Sequence, residues 1–132
     1  MDTRHKIVDP GTAIAAARLR RRDGGRVAAM TGSFDVLLAD HARELAALRN
    51  GDGRALVVAV LAPSAASVLS DRARAEMLAG LAATDYVVAG VEPAAIEELL
   101  AGLAPDVIVR REAEHENRFR RLVDCVRGRQ SG

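Results

Sequence analysis

Short apolar runs alternate along this chain with longer segments of helical period. Arg26-Val27-Ala28-Ala29-Met30 heads the series, Ala55-Leu56-Val57-Val58-Ala59-Val60-Leu61 follows and is closed by Pro63, and Asp85-Tyr86-Val87-Val88-Ala89 and Asp106-Val107-Ile108-Val109 complete it. Runs this short, apolar without alternation, are the pattern of strands covered on both faces. Between them, a helical stretch from about Ala39 to Arg49 stops at the turn cluster Asn50-Gly51-Asp52-Gly53. Ser70 caps a second helix, with Ala73, Met77, Leu78 and Leu81 on its inner face. Glu92-Pro93 opens a third, with proline at the first position, where no amide donor is needed. That helix carries Ile96, Leu99, Leu100 and Leu103 inward and ends at Ala104-Pro105.

A preliminary helix over Thr12 to Arg22 stops at Asp23-Gly24-Gly25. Strand and helix of these lengths in alternation predict an α/β fold: a three-layer, Rossmann-like, doubly wound parallel sheet of four or five strands with right-handed crossovers. One domain over residues 1–132 is expected, its core about 24–110, with an N-terminal helix over 12–22. The tail, 111–132, is open: Glu114 to Arg121 suggests a helix, and Leu122-Val123-Asp124-Cys125-Val126 reads as either an edge strand or helix.

Composition narrows the function classes. The 132 residues are 49% hydrophobic and carry 19 basic against 18 acidic side chains, a net charge of +1. No global field favours nucleic acid or an anionic membrane, and two Phe with one Tyr are too few for a base-stacking platform. Lys6 is the only lysine, so any role that requires one falls to it or goes unfilled. The single cysteine, Cys125, closes no internal disulfide, and it reads as a small buried or half-buried side chain. The opening MDTRHKIVDP lacks the apolar core of a signal peptide, so a cytoplasmic protein is expected. His5 and His115 have no spacing partner that makes a metal site, and no metal ligands are assigned.

In a sheet of this kind ligands bind beyond the carboxyl ends of the strands, where the winding reverses. That rule selects the segment after the first strand, Thr31-Gly32-Ser33-Phe34-Asp35-Val36-Leu37-Leu38-Ala39-Asp40-His41. Gly32 lets a backbone approach a ligand, and Asp35 and His41 fall near a helix N-terminus, where amides favour phosphate.

These residues carry a resemblance. Lys6-Ile7-Val8, the Ala-rich helix, Gly25-Arg26-Val27 and TGSFDVLLADH resemble the adenylyltransferase domain of ADP-heptose synthase and its cytidylyltransferase-like relatives, among them glycerol-3-phosphate cytidylyltransferase. In those domains a strand leads into Gly-x-Phe-Asp-x-Leu-His-x-Gly-His. Arg74, eleven residues before Asp85-Tyr86-Val87-Val88, lies where the family carries an arginine, and Leu103-Ala104-Pro105-Asp106-Val107-Ile108-Val109 is similar to its Leu-x-Pro-Asp-x-Leu-Val. The resemblance spans about Lys6 to Arg110. It implies transfer of a nucleoside monophosphate from ATP or CTP, with Mg²⁺, to a sugar or polyol phosphate. His41 and Arg74 are then the catalytic positions, and Thr31, Gly32, Ser33, Phe34, Asp35, Asp40 and Arg110 the nucleotide-binding ones. The implied partners are a nucleotide and a small phosphorylated substrate, with neither nucleic acid nor membrane; relatives commonly form homodimers, and the Ala-rich faces permit one.

The chain departs from that pattern at several places. The first histidine position is Leu38 and the glycine position is Asp40, leaving His41 alone. The segment Ala62 to Leu69 has no cation where relatives carry a lysine, Arg110-Arg111-Glu112-Ala113 replaces Lys-Gly-Gly-Asp, and no Ser/Thr-rich motif follows Arg110. Each lost donor costs about 3–4 kcal/mol of transition-state stabilisation, and a carboxylate ~4 Å from a phosphate oxygen repels it by about 4 kcal/mol at an effective dielectric of ~20. Weakened or lost catalysis, a pseudoenzyme, is therefore expected, with a silent nucleotide- or protein-binding domain as the alternative. Plainer roles exist for each residue: His41 as a solvated first-turn side chain, Asp35 as a helix cap, Arg74 in a surface pair with Asp71 or Glu76, the Arg-rich tail as a solvated face. The functional reading needs the imidazole to meet the TGSF turn at the rim of the sheet; burial in the interior, or a ring turned from Gly32, defeats it.

Overall fold

The four apolar runs become the strands β1 (Val27–Gly32), β2 (Leu56–Leu61), β3 (Tyr86–Val88) and β4 (Val107–Arg110), all parallel, in the order β3-β2-β1-β4. The structure, a computed structural model, describes residues 2–34, 39–51, 55–63 and 69–111. Helices α1 (Pro10–Arg22), α2 (Ala39–Gly51), α3 (Asp71–Ala79) and α4 (Pro93–Leu103) cover the two faces. This is a three-layer α/β arrangement of the Rossmann-like kind. No described helix is long and apolar enough to cross a membrane.

Strand alternation sorts the core into two clusters. Val27 and Ala29 of β1 and Val58 and Val60 of β2 face Ala13 and Ala17 of α1 and Ile96, Leu99, Leu100 and Leu103 of α4. On the other face, Met30, Val57, Ala59 and Leu61 pack on Leu45 of α2 and on Ala75, Leu78 and Ala79 of α3. Two successive crossovers of one hand keep α2 and α3 together, while the return from β3 across to β4 puts α4 on the opposite side. Each fully buried Val or Leu contributes roughly 1.5–3 kcal/mol, which is why runs apolar on both faces specify these strands.

The elements differ from the sequence pattern in informative ways. β1 runs on through Thr31 and Gly32, which pair with Val60 and Leu61, so both belong to the strand rather than the loop. α1 starts at Pro10, two residues early, because Asp9 caps it, its carboxylate accepting from the Thr12 amide at 2.7 Å. The Ser70 cap forms as expected, its hydroxyl accepting from the Ala73 amide at 3.1 Å. The inner face of α3, however, is Arg74, Ala75, Leu78 and Ala79; Met77 is exposed and Leu81 lies beyond the helix. Arg74 reaches the carbonyls of Ser33 and Ala62, just past the carboxyl ends of β1 and β2, from the same face that buries Ala75, Leu78 and Ala79. All four residues expected inward on α4 are buried. The tail after Arg111, with Cys125 and the 122–126 segment, lies outside the described residues.

Candidate functional site

From β1 the chain moves outward through β2 to β3, then crosses back to lay β4 on the other side of β1. The winding therefore reverses between β1 and β4, and in sheets of this kind the ligand crevice lies beyond the carboxyl ends at such a reversal. Thr31, Gly32, Ser33 and Phe34 stand at that end of β1, all four buried. Arg110 lies beside Thr31 in the register, and the Arg111 amide donates to the Thr31 carbonyl at 2.8 Å, prolonging the ladder past the strand. The Gly32 carbonyl is taken by the Ala62 amide at 2.8 Å. Asp35 and the Leu38 position lie outside the described residues.

Phe34 sets the local geometry. Its φ of 50° is in the left-handed region, unusual for a bulky side chain, and its ring is buried against His41. The two rings meet edge to face, centroids 5.5 Å apart at an interplanar angle of 86°. His41 is only 2% exposed, which corrects the picture of a solvated imidazole on the first turn of α2. The ring meets the TGSF turn through Phe34, yet it is closed to solvent, so the expectation of an imidazole open at the rim of the sheet is not met.

Arg74 also differs from the surface pair anticipated for it. Its side chain is 1% exposed, donating to the Ser33 carbonyl, to the Ala62 carbonyl at 3.4 Å and to the Asp71 carboxylate. Glu76, the other candidate partner, pairs with Arg72 at 3.0 Å. The guanidinium thus joins the ends of β1 and β2 to the first turn of α3. Two hydroxyls at the same rim, Thr31 Oγ1 and Ser33 Oγ, are buried with no hydrogen-bond partner among the described residues.

Charge around the crevice is arranged by strand alternation. Asp40, feared as a repulsive carboxylate, is turned outward toward Arg43 at 3.5 Å, with 57% of its side chain exposed. Arg110 points to the α1/α4 face and pairs with Glu97 of α4, away from His41. Arg111 points the other way and reaches α2, its Nε 3.0 Å from Glu44, one turn beyond His41. The sequence reading assigned Arg110 to the site, named Arg111 only among the tail arginines that could stand in as cations for phosphate, and passed over Glu44. Counting the strand's alternation outward from Val109, which packs on the α2/α3 cluster, was the available signal. Lys6 serves elsewhere: its ammonium donates to the Leu81 carbonyl at 3.2 Å, in the turn preceding β3 and so at the amino end of the sheet.

Comparison with known proteins adds kinship. The chain is 36% identical over 97 residues to the bifunctional protein HldE of Rhodopseudomonas palustris, covering 68% of this chain and 20% of that protein. Against the bifunctional protein HldE of Acidiphilium cryptum it is 35% identical over 113 residues, covering 80% of this chain and 23% of the relative. The chain spans about a fifth of the length of these curated relatives. No protein-family model matches it.

Proposed function

We propose that this chain is a nucleotidylyltransferase-like domain that binds ATP or CTP across the β1–β4 crevice and whose transfer chemistry is weakened or lost. One observation carries the reading: in a chain similar to HldE over 97 to 113 residues, the winding reverses at the TGSF turn. Thr31, Gly32, Ser33 and Phe34 then border the nucleotide, and the buried hydroxyls of Thr31 and Ser33 would gain partners from it. Asp35, Asp40 and Arg110 stay in the proposed set by resemblance, though Asp40 and Arg110 face away from the rim. The acceptor class is a sugar or polyol phosphate, again by resemblance.

Loss of rate is supported by the state of the two catalytic positions. Nucleotidyl transfer depends almost wholly on positioning and charge stabilisation. Here the imidazole of His41 sits behind Phe34, and the Arg74 guanidinium is engaged by two carbonyls and a carboxylate. The same facts favour the second reading, a silent binder using the same cleft. Among the described residues no three His, Cys, Asp or Glu side chains gather to hold a metal. In this reading Mg²⁺ arrives with the nucleotide, held by its phosphates and water with at most one protein carboxylate.

The test is thermal shift with ATP and CTP, with and without Mg²⁺, followed by pyrophosphate release with sugar and polyol phosphates. Stabilisation should grow with the logarithm of ligand concentration above the dissociation constant. Any pyrophosphate released should disappear in His41→Ala, and stabilisation without release marks the silent binder. If neither nucleotide stabilises the protein under any condition, the nucleotide reading fails.

A further inference from the structure

We infer that Arg111 is the protein's grip for a polyphosphate anion, and that Glu44 is an internal competitor which the anion displaces. The inference rests on taking the β1–β4 crevice as the binding cleft. Its backbone is fixed there: the Arg111 amide donates to the Thr31 carbonyl at 2.8 Å, so the residue cannot drift from the rim. The side chain lies on the α2/α3 side of the sheet, opposite to that of Arg110, and crosses to Glu44 at 3.0 Å.

Glu44 stands three residues after His41, in the second turn of α2, so the pair brings a guanidinium within about a turn of the helix start, where main-chain amides and the helix dipole favour an anion. Both side chains remain partly exposed, 39% for Arg111 and 26% for Glu44, so an incoming ligand can compete for the fork. A guanidinium binds phosphate as readily as carboxylate, by the same two-pronged geometry. Ser33 Oγ, buried and with no hydrogen-bond partner among the described residues, stands at the same carboxyl end of the sheet; Thr31, by the alternation of β1, faces the α1/α4 side with Val27 and Ala29. Relatives have a glycine where this chain has Arg111, by the resemblance noted above, so the cation is this chain's own answer to the missing lysine.

The experiment is titration calorimetry of the full chain with inorganic tripolyphosphate at about 0.1 M salt, where the screening length is about 10 Å, with ATP and CTP as separate arms. Arg111→Ala should weaken tripolyphosphate binding about ten- to a hundredfold, the scale of a lost charged hydrogen bond. Glu44→Gln should tighten it about two- to fivefold, the strength of a partly exposed pair. Arg49→Ala, at the amino end of the sheet beside Asp85 and screened at moderate salt, should change it less than about twofold. The gain in Glu44→Gln cannot come from misfolding, which only loses binding.

The inference is overturned if Arg111→Ala binds like the parent, if Glu44→Gln gains nothing, or if tripolyphosphate binds neither the parent nor Glu44→Gln. If ATP or CTP binds the parent and Arg111→Ala alike, the nucleotide reading survives and this inference falls. If tripolyphosphate binding follows Arg111 while neither nucleotide binds, the anion grip stands and the nucleotide reading falls.

Discussion

A guanidinium buried to 1% is costly unless its donors are met, and Arg74 directs Nη1 to the Ser33 and Ala62 carbonyls and Nη2 to Asp71. The Asp71 side chain is 49% exposed and can return to water, so the main cost of losing Arg74 falls on the two carbonyls it satisfies. Arg74→Met, similar in length but without donors, should therefore lower the unfolding free energy by about 1–3 kcal/mol, with Arg74→Lys between it and the parent. Urea denaturation measures this; a change under about 0.5 kcal/mol, the range of an ordinary surface substitution, would show that the guanidinium does not hold the turn. Arg74 was visible in the sequence as a position of interest, but not as a buried clamp. Its spacing to Asp71 and Glu76 is that of a helix-surface pair, and the acceptors that bury it come from strand ends far along the chain. His41 is the same case: nothing local announces that Phe34 takes a left-handed backbone and seats its ring on the imidazole.

Elements were more legible than sites, because periodicity and end signals are local. The runs that form β1 to β4 could be read at once, and so could the inner face of α4 and the Ser70 cap; α3 was misread because its buried stripe, Arg74, Ala75, Leu78 and Ala79, includes a charged residue that an apolar pattern does not count. Two aspartates recur just before edge strands with one function. Asp85 accepts from the Val57 amide and Asp106 from the Val27 amide, each at 2.8 Å, closing the amino ends of β2 and β1. Asp9 does the like for α1, and its hydrogen bonds from Thr12 lower its pKa below the ordinary carboxylate value. A folded-state pKa below the unfolded one means that the cap stabilises fully above about pH 4, near the unfolded carboxylate value. Its contribution fades as pH falls through the folded value. Asp9→Asn keeps a capping oxygen but cannot titrate. The melting temperature of the parent should exceed that of Asp9→Asn near pH 6, and the gap should close on acidification below about pH 4. A gap independent of pH would mean that the ionised cap adds nothing to α1.

At the scale of the molecule, a parallel sheet has two chemically different ends, and everything proposed here places the ligand at one of them. The carboxyl end gathers the TGSF turn, His41, Arg74 and Arg111; the amino end gathers Asp85 with Arg49 at 2.8 Å, Asp106, and the only lysine. Lys6 is held there by its bond to Leu81, while the next residue, Ile7, bridges to Val87 at the β3 edge. A polyphosphate in the β1–β4 crevice lies beyond the reach of that side chain, so the missing lysine of the nucleotide-binding pattern cannot be restored by Lys6 without unpicking the edge of the sheet. Amine acetylation of the native protein, read at Lys6 by peptide mass, should accordingly run at the same rate with and without saturating tripolyphosphate or ATP. Arginine modification by a dicarbonyl, read at Arg111, should slow under the same conditions, because the anion covers the guanidinium. Electrostatic influence alone is too weak to blur the contrast, since charges separated by more than about 10 Å are largely screened at moderate salt. Protection of Lys6 with Arg111 unaffected would put the ligand at the amino end and remove the ground for a crevice at the TGSF turn.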